Sequence, residues 1–364
     1  MKKPAALIAV LLPLAITAPA AQEGAAPGAA GGGAEERYYD SGLGDTDFAR
    51  SLQATMRGED LRKAEQYEAA LEAFNEAIAL MPDRMYAAWI GRGDLYFYVY
   101  REYGKALADY TEVIRRVPED YSPSRYEFIR RSAPGQVFFA YYGRANVYAE
   151  WGEHEKAVAD YTAAVNLWPE HTSPYMFRAR SYTALGEDGK AVADYTQVIT
   201  LGQAGRVDPL NLTAAYIERA EFYRKERRYE EALADYDEAV GRGGPNLSIA
   251  YGNRGIVYRL IGEADRAIED FTEALRLNAD FAEAYSNRGN AYGDKGELDR
   301  AIEDYNQALR INPGYAAAYN NRGYAYYRKG DTDQARADWE RALVLDPDYP
   351  QARYNLELLQ QPED

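Results

Sequence analysis

A self-similar period of about 34 residues constrains this chain more than any other feature, because it runs through most of a 364-residue sequence. The clearest unit is Ala282 to Tyr315, AEAYSNRGNAYGDKGELDRAIEDYNQALRINPGY. It is followed without a gap by Ala316 to Tyr349, AAAYNNRGYAYYRKGDTDQARADWERALVLDPDY. Equivalent places hold Gly289 and Gly323, Tyr292 and Tyr326, Ala301 and Ala335, Tyr305 and Trp339, Ala308 and Ala342, and Pro313 and Pro347. Six earlier copies begin near Ser51, Tyr86, Phe138, Thr172, Thr213 and Ser248, giving eight. Length alone would suggest two or three globular domains. A repeat array instead grows unit by unit, each burying its apolar faces on its neighbours.

Within one unit the spacing predicts a helical hairpin. Tyr285, Gly289 and Tyr292 lie four and then three apart, on one face of a first helix that Gly296 ends. Ala301, Tyr305 and Ala308 form the facing stripe of a second helix that stops before Pro313. The small residues let helix axes approach, and the tyrosines fill the volume beside them. This accounts for many of the 34 tyrosines as core: Tyr96, Tyr148, Tyr182, Tyr223 and Tyr258 repeat the place of Tyr292, and Tyr110, Tyr161, Tyr195 and Tyr236 that of Tyr305.

The pattern resembles the tetratricopeptide repeat (TPR). That resemblance implies an all-α fold, an α-solenoid of about eight hairpins in a right-handed superhelix whose concave face is lined by the first helices. It divides the chain into eight repeats over 47–349, with insertions near 119–137 and 200–212, and a capping helix and tail over 350–364. The family's role implies a non-catalytic scaffold.

One place departs from the family pattern. Before the small residue of the first helix, arginine stands in all eight copies: Arg57, Arg92, Arg144, Arg178, Arg219, Arg254, Arg288 and Arg322. Before the large aromatic of the second helix stand Asp109, Asp160, Asp194, Asp235, Asp270, Asp304 and Asp338, with Ala73 in the first copy. A guanidinium fork matches a carboxylate by two hydrogen bonds, so a ladder of Arg–Asp pairs tying the two helices of each hairpin is expected.

The start of the chain reads as an address. Lys2 and Lys3, an apolar run from Ala5 to Thr17, and Ala18-Pro19-Ala20 have the layout of a secretory signal over residues 1–20. An Ala- and Gly-rich linker over 21–46 follows, and the expected location is the periplasm of a Gram-negative bacterium or outside the cell. There is no cysteine, which excludes thiol chemistry, disulfides and cysteine-held metals. A formal net charge of −16 argues against nucleic acid.

Counting along the repeats, the resemblance puts Phe139, Tyr142, Asn146, Met176, Phe177 and Arg180 on the concave face in the middle of the array. It puts Asn253, Asn287, Asn290, Asn320, Asn321 and Tyr324 there towards the C-terminus. A row of asparagine amides, each both donor and acceptor, is suited to an extended peptide backbone. The expected partner is therefore a protein or peptide segment. The alternative is a carbohydrate-associated accessory role in exopolysaccharide or cell-wall assembly, which needs Phe139, Tyr142, Phe177, Tyr324 and Tyr327 as an exposed aromatic stripe. His154 and His171 have no ligand-like company, and no catalytic, metal or cofactor motif is visible.

Overall fold

A computed structural model describes residues 45–83, 85–116, 134–205 and 209–359. The leader, nearly all of the linker, most of the first insertion, residues 206–208 of the second and the tail from 360 lie outside them.

Seventeen helices follow one another, with no strand among the described residues. The hairpins are α1 (Asp45–Lys63) with α2 (Tyr67–Leu80), α3 (Tyr86–Asp94) with α4 (Tyr103–Arg115), α5 (Pro134–Glu150) with α6 (His154–Leu167), and α7 (Thr172–Ala184) with α8 (Asp188–Gln203). Then come α9 (Pro209–Lys225) with α10 (Tyr229–Arg242), α11 (Leu247–Leu260) with α12 (Ala264–Leu277), α13 (Ala282–Asp294) with α14 (Leu298–Ile311), and α15 (Ala316–Arg328) with α16 (Thr332–Leu345). A single helix, α17 (Pro350–Leu358), packs on α15 and α16. The described part of the second insertion is absorbed by helix: α8 runs on to Gln203 and α9 starts at Pro209.

Each hairpin is closed by the same means. Ala301, Ala308 and the ring of Tyr305 are buried beneath α13. A methyl group added at Gly289 would come within 2.8 Å of that ring, so this place admits only the smallest residues. The turn puts one residue in the left-handed region, and the amide of Glu297 reaches back to the carbonyl of Tyr292 at 2.9 Å. Gly152, Gly186, Gly262, Gly296 and Gly330 fill that position, but Glu65, Arg101 and Arg227 occupy it in three repeats, with φ of 58°, 56° and 60°.

The second repeat is irregular in a way its spacing records. Its arginine and aspartate are 17 residues apart instead of 16. The extra residue is taken up as a π-helical turn, Leu95–Val99, continuing α3.

Candidate functional site

Successive first helices touch one another from α5 through α7, α9, α11, α13 and α15 to α17, whereas successive second helices show no comparable packing. Elements that approach more closely lie on the inside of a curve. The first helices therefore form the inner face.

The Arg–Asp pairs are bidentate in seven repeats. In the fourth, Arg178 donates Nε and Nη2 to Asp194 at 2.8 and 2.7 Å. The same fork joins Arg92 to Asp109, Arg144 to Asp160, Arg219 to Asp235, Arg254 to Asp270, Arg288 to Asp304 and Arg322 to Asp338, at 2.6–2.8 Å. In the first repeat Arg57 turns to Glu76 instead. The remaining nitrogen, Nη1, crosses to the preceding repeat, where it meets the side chain two places after that repeat's aspartate: Arg178 to Thr162 at 3.0 Å, Arg254 to Asp237 at 2.7 Å, Arg288 to Thr272 at 3.0 Å. Each guanidinium also lies over an aromatic ring one helical turn back, as Arg254 does over Tyr251 at 5.4 Å. The ladder thus ties helix to helix and repeat to repeat. Burial raises the carboxyls of Asp109 and Asp270 above the usual range even with the arginine beside them. At these two carboxyls desolvation therefore offsets part of the attraction to the arginine.

Two places after the arginine, four of the repeats show a second role. The hydroxyl of the buried second-helix tyrosine is received there: Tyr110 donates to Asp94 at 2.7 Å, Tyr161 to Asn146 at 2.7 Å, Tyr236 to Glu221 at 3.3 Å and Tyr305 to Asn290 at 2.8 Å. Where the second helix carries Phe271, which has no hydroxyl, the partner place holds apolar Ile256. Asn146, Arg180 and Asn290 all occupy this place. Asn146 is buried, while Arg180 is exposed, over the ring of Phe177 and 3.5 Å from Glu218.

The N-terminal half of the inner face is filled. The π-turn brings Tyr98 within 3.4 Å of the Asn146 amide, Tyr142 stacks on Phe138, and Phe177 meets Tyr142 edge-on. Met176 is buried, and Phe139, Tyr142 and Phe177 are half-buried. Burial pushes the Asp94 carboxyl up to about 6, only partly opposed by the Tyr110 hydroxyl and Arg62, and reinforced by Glu59. Burial against Phe138 and Trp168 holds His171 down to about 4.

The C-terminal half is open. A cavity of about 480 Å3 lies across α13, α15 and α17. A relay of amides forms its floor: Asn355 donates to Asn320 at 3.0 Å, Asn320 to Asn321 at 3.1 Å, and Asn321 to Asn290 at 3.0 Å. Arg259, paired with Asp294 at 2.7 Å, and Arg328, donating to the Gly293 carbonyl at 2.7 Å, stand at the side. Tyr324 and Tyr354 project with 50% and 61% of their surface exposed. Of the predicted residues, Asn290, Asn320, Asn321 and Tyr324 meet here. Asn320 is buried as the middle of the relay, and Asn253 and Asn287 lie half-buried on the preceding first helices.

Family models described as "TPR repeat" match residues 255–296 and 289–330, and models described as "Tetratricopeptide repeat" match 55–121, 140–171, 213–242 and 316–349. The chain belongs to the tetratricopeptide repeat family. Solved structures agree on the fold. A tetratricopeptide repeat protein from Parabacteroides merdae has a TM-score of 0.54 at 17% identity, covering 76% of this chain and 99% of that one. PilF of Pseudomonas aeruginosa has 0.53 at 18% identity, covering 63% and 100%. The Cut9–Hcn1 assembly of the APC/C has 0.52 at 14% identity, covering 85% and 76%. No curated protein matches the chain. A TPR solenoid suggests a scaffold for protein–protein interaction, and TPR proteins are generally non-catalytic.

In this TPR array the residues that sequence reasoning missed are Asn355, Arg259 and Tyr354. Asn355 stands 34 residues after Asn321, so the capping helix extends the row Asn253, Asn287, Asn321 by one more step. That spacing was the available signal. No group of three or more histidine, aspartate or glutamate side chains among the described residues could hold a metal, and none of the described helices is long and apolar enough to cross a membrane.

Proposed function

We propose that this TPR chain is an exported scaffold that holds a segment of another protein against the C-terminal half of its inner face. The observation that carries the reading is the amide relay from Asn290 to Asn355 on the floor of an open cavity, beside exposed rings. Inner-face amides backed by a rigid core meet a backbone without reorganising, which lowers the entropic cost of binding. Export is supported by the charged start, apolar run and small-residue site at residues 1–20. The aromatic residues that a sugar platform needs are divided: Tyr324 and Tyr327 are exposed, but Phe139, Tyr142 and Phe177 pack on the core, which favours the protein reading.

The test is photo-crosslinking in the host with the reactive group at Tyr324 and a control at Glu303 on α14. A discrete protein adduct at Tyr324 alone is expected. Adducts of equal yield at both places, or none at either, would remove the proposal.

A further inference from the structure

Successive first helices run parallel, so α17 ends on the same side of the array as α15. Asn355 of α17 bonds to Asn320 of α15 at 3.0 Å, which sets their register. Arg328 lies about 12 Å beyond Asn320 along α15, and Leu359 about 6 Å beyond Asn355 along α17. The residues that follow Leu359 are Gln360, Gln361, Pro362, Glu363 and Asp364. They leave α17 one helix spacing from α15, roughly 8–10 Å, and about 6 Å short of the level of Arg328. Such a stretch spans up to about 17 Å, so both of its carboxylates come within reach of that guanidinium.

The charges on either side of this exit differ. Arg328 is exposed, donates to the Gly293 carbonyl at 2.7 Å, and pairs with no carboxylate among the described residues. Continuing along α17 meets opposition twice. Pro362 does not continue a helix. In the two preceding repeats Lys295 and Lys329 reach back to Asp265 and Asp299, and one period further on Glu363 would take the lysine's place against Asp333. Lys329 is already held by Asp299, whereas Arg328 can still take a carboxylate. The cavity beside Arg328 holds both donors and acceptors in its amides, and Gln360 and Gln361 bring the same mixture.

We propose that residues 360–364 turn towards α15 and seat on the mouth of the C-terminal cavity, with Glu363 and Asp364 held by Arg328. The tail then covers Tyr324 and competes for the surface that, resting on the scaffold reading above, holds a segment of another protein. Tethering gives the tail an effective concentration of about millimolar order, so a few weak contacts populate the seat and a better ligand displaces them.

The chain has no cysteine, so Gln360→Cys carries the only thiol and can be labelled with bimane. Tyr324→Trp supplies a contact quencher at the proposed seat. In the purified chain alone, emission about twofold or more below that of the Tyr324 parent is expected. It should recover in Arg328→Ala, and in about 1 M sodium chloride, where charges are screened beyond about 3 Å. Arg328→Glu should also abolish the quenching, and Glu363→Arg/Asp364→Arg on that background should restore it. Arg328 is exposed, so the circular dichroism of these variants should match the parent. Quenching that is absent, indifferent to Arg328→Ala or to salt, or not restored by the reversal would overturn the inference. The competition is read separately: Glu363→Gln/Asp364→Asn should raise the yield of the Tyr324 photo-adduct about two- to threefold. An unchanged yield overturns the competition. No adduct from either chain would remove the scaffold reading, while the quenching still decides where the tail lies.

Discussion

From α3 to α8 and from α11 to α16 the array uses one repeat and one ladder, yet the two halves treat their inner faces in opposite ways. In the first half the face is closed by its own side chains. Tyr98 enters on the π-turn, Tyr142 and Phe177 cover Tyr161, and the polar groups beneath are an acid near neutrality, Asp94, and a buried amide, Asn146. In the second half glycine, alanine and asparagine replace the bulky residues, and the same place that buries Asn146 leaves Asn290 lining a cavity. The framework that holds register is therefore separate from the surface that varies. An asparagine at a fixed place in the repeat is structural or available according to what the next first helix puts over it.

The comparison is sharpest when matched aromatics are removed from each half. Tyr161→Ala empties a fully buried site and leaves Asn146 without its hydroxyl, so a loss of about 3–5 kcal/mol is expected by urea unfolding. Tyr324→Ala removes an exposed ring and should change stability by no more than about 0.5 kcal/mol. Similar losses would mean that the C-terminal ring is core after all, and the contrast would fail. The ladder should ignore the contrast. Asp194→Ala and Asp304→Ala each strand a largely buried arginine and should cost about 2–4 kcal/mol in either half, while Arg178→Met/Asp194→Leu recovers most of that loss. A cost confined to one half would show that register is not held evenly along the array.

The repeat, its two helices and the ladder positions could be read from the sequence because each is a matter of spacing, and spacing survives without coordinates. Even the π-turn is written there, as 17 residues between Arg92 and Asp109 where other repeats have 16. What could not be read depends on how one repeat docks on the next. The crossing of Arg178 Nη1 to Thr162 is of this kind. So is the fate of the asparagines: Asn146 and Asn290 are the same letter at the same place, and only the neighbouring Tyr98 or Asn321 decides which of them is covered. Tyr161 and Tyr305 donate to Asn146 and Asn290, which identifies part of the supposed ligand row as support for the hydroxyls.

A smaller effect follows from Asp94. Its homologous places in the third and seventh repeats hold Asn146 and Asn290, which accept the tyrosine hydroxyl without a charge. Because burial raises the folded-state value to about 6 from an ordinary carboxylate value, folding favours the protonated form. That contribution is present at low pH and is lost as pH rises through 6. Asp94→Asn should therefore stabilise the chain by about 1–3 kcal/mol at pH 8 and change little at pH 4. His171 runs the other way: held down to about 4, it contributes stability above its ordinary value near 6.5 that is lost as pH falls towards 4. Melting curves of Asp94→Asn from pH 4 to 8 test this, and a gain that is flat with pH would mean the carboxylate is not the cause.

The smallest expected effect concerns the turns. The sixth to eighth repeats all place glycine at the left-handed position, Gly262, Gly296 and Gly330, whereas the first two hold Glu65 and Arg101 there. A side chain in that conformation costs about 1–2 kcal/mol, and glycine gives back part of any gain because its unfolded chain is freer. Glu65→Gly and Arg101→Gly should each stabilise by about 0.5–1 kcal/mol. In a solenoid each repeat answers mainly to its neighbours, so the gain should appear as slower amide exchange in α1 to α4 and leave α13 to α17 unchanged. Protection that rises equally along the whole chain would show that the array unfolds as one cooperative unit. In that case the two halves differ in surface but not in stability.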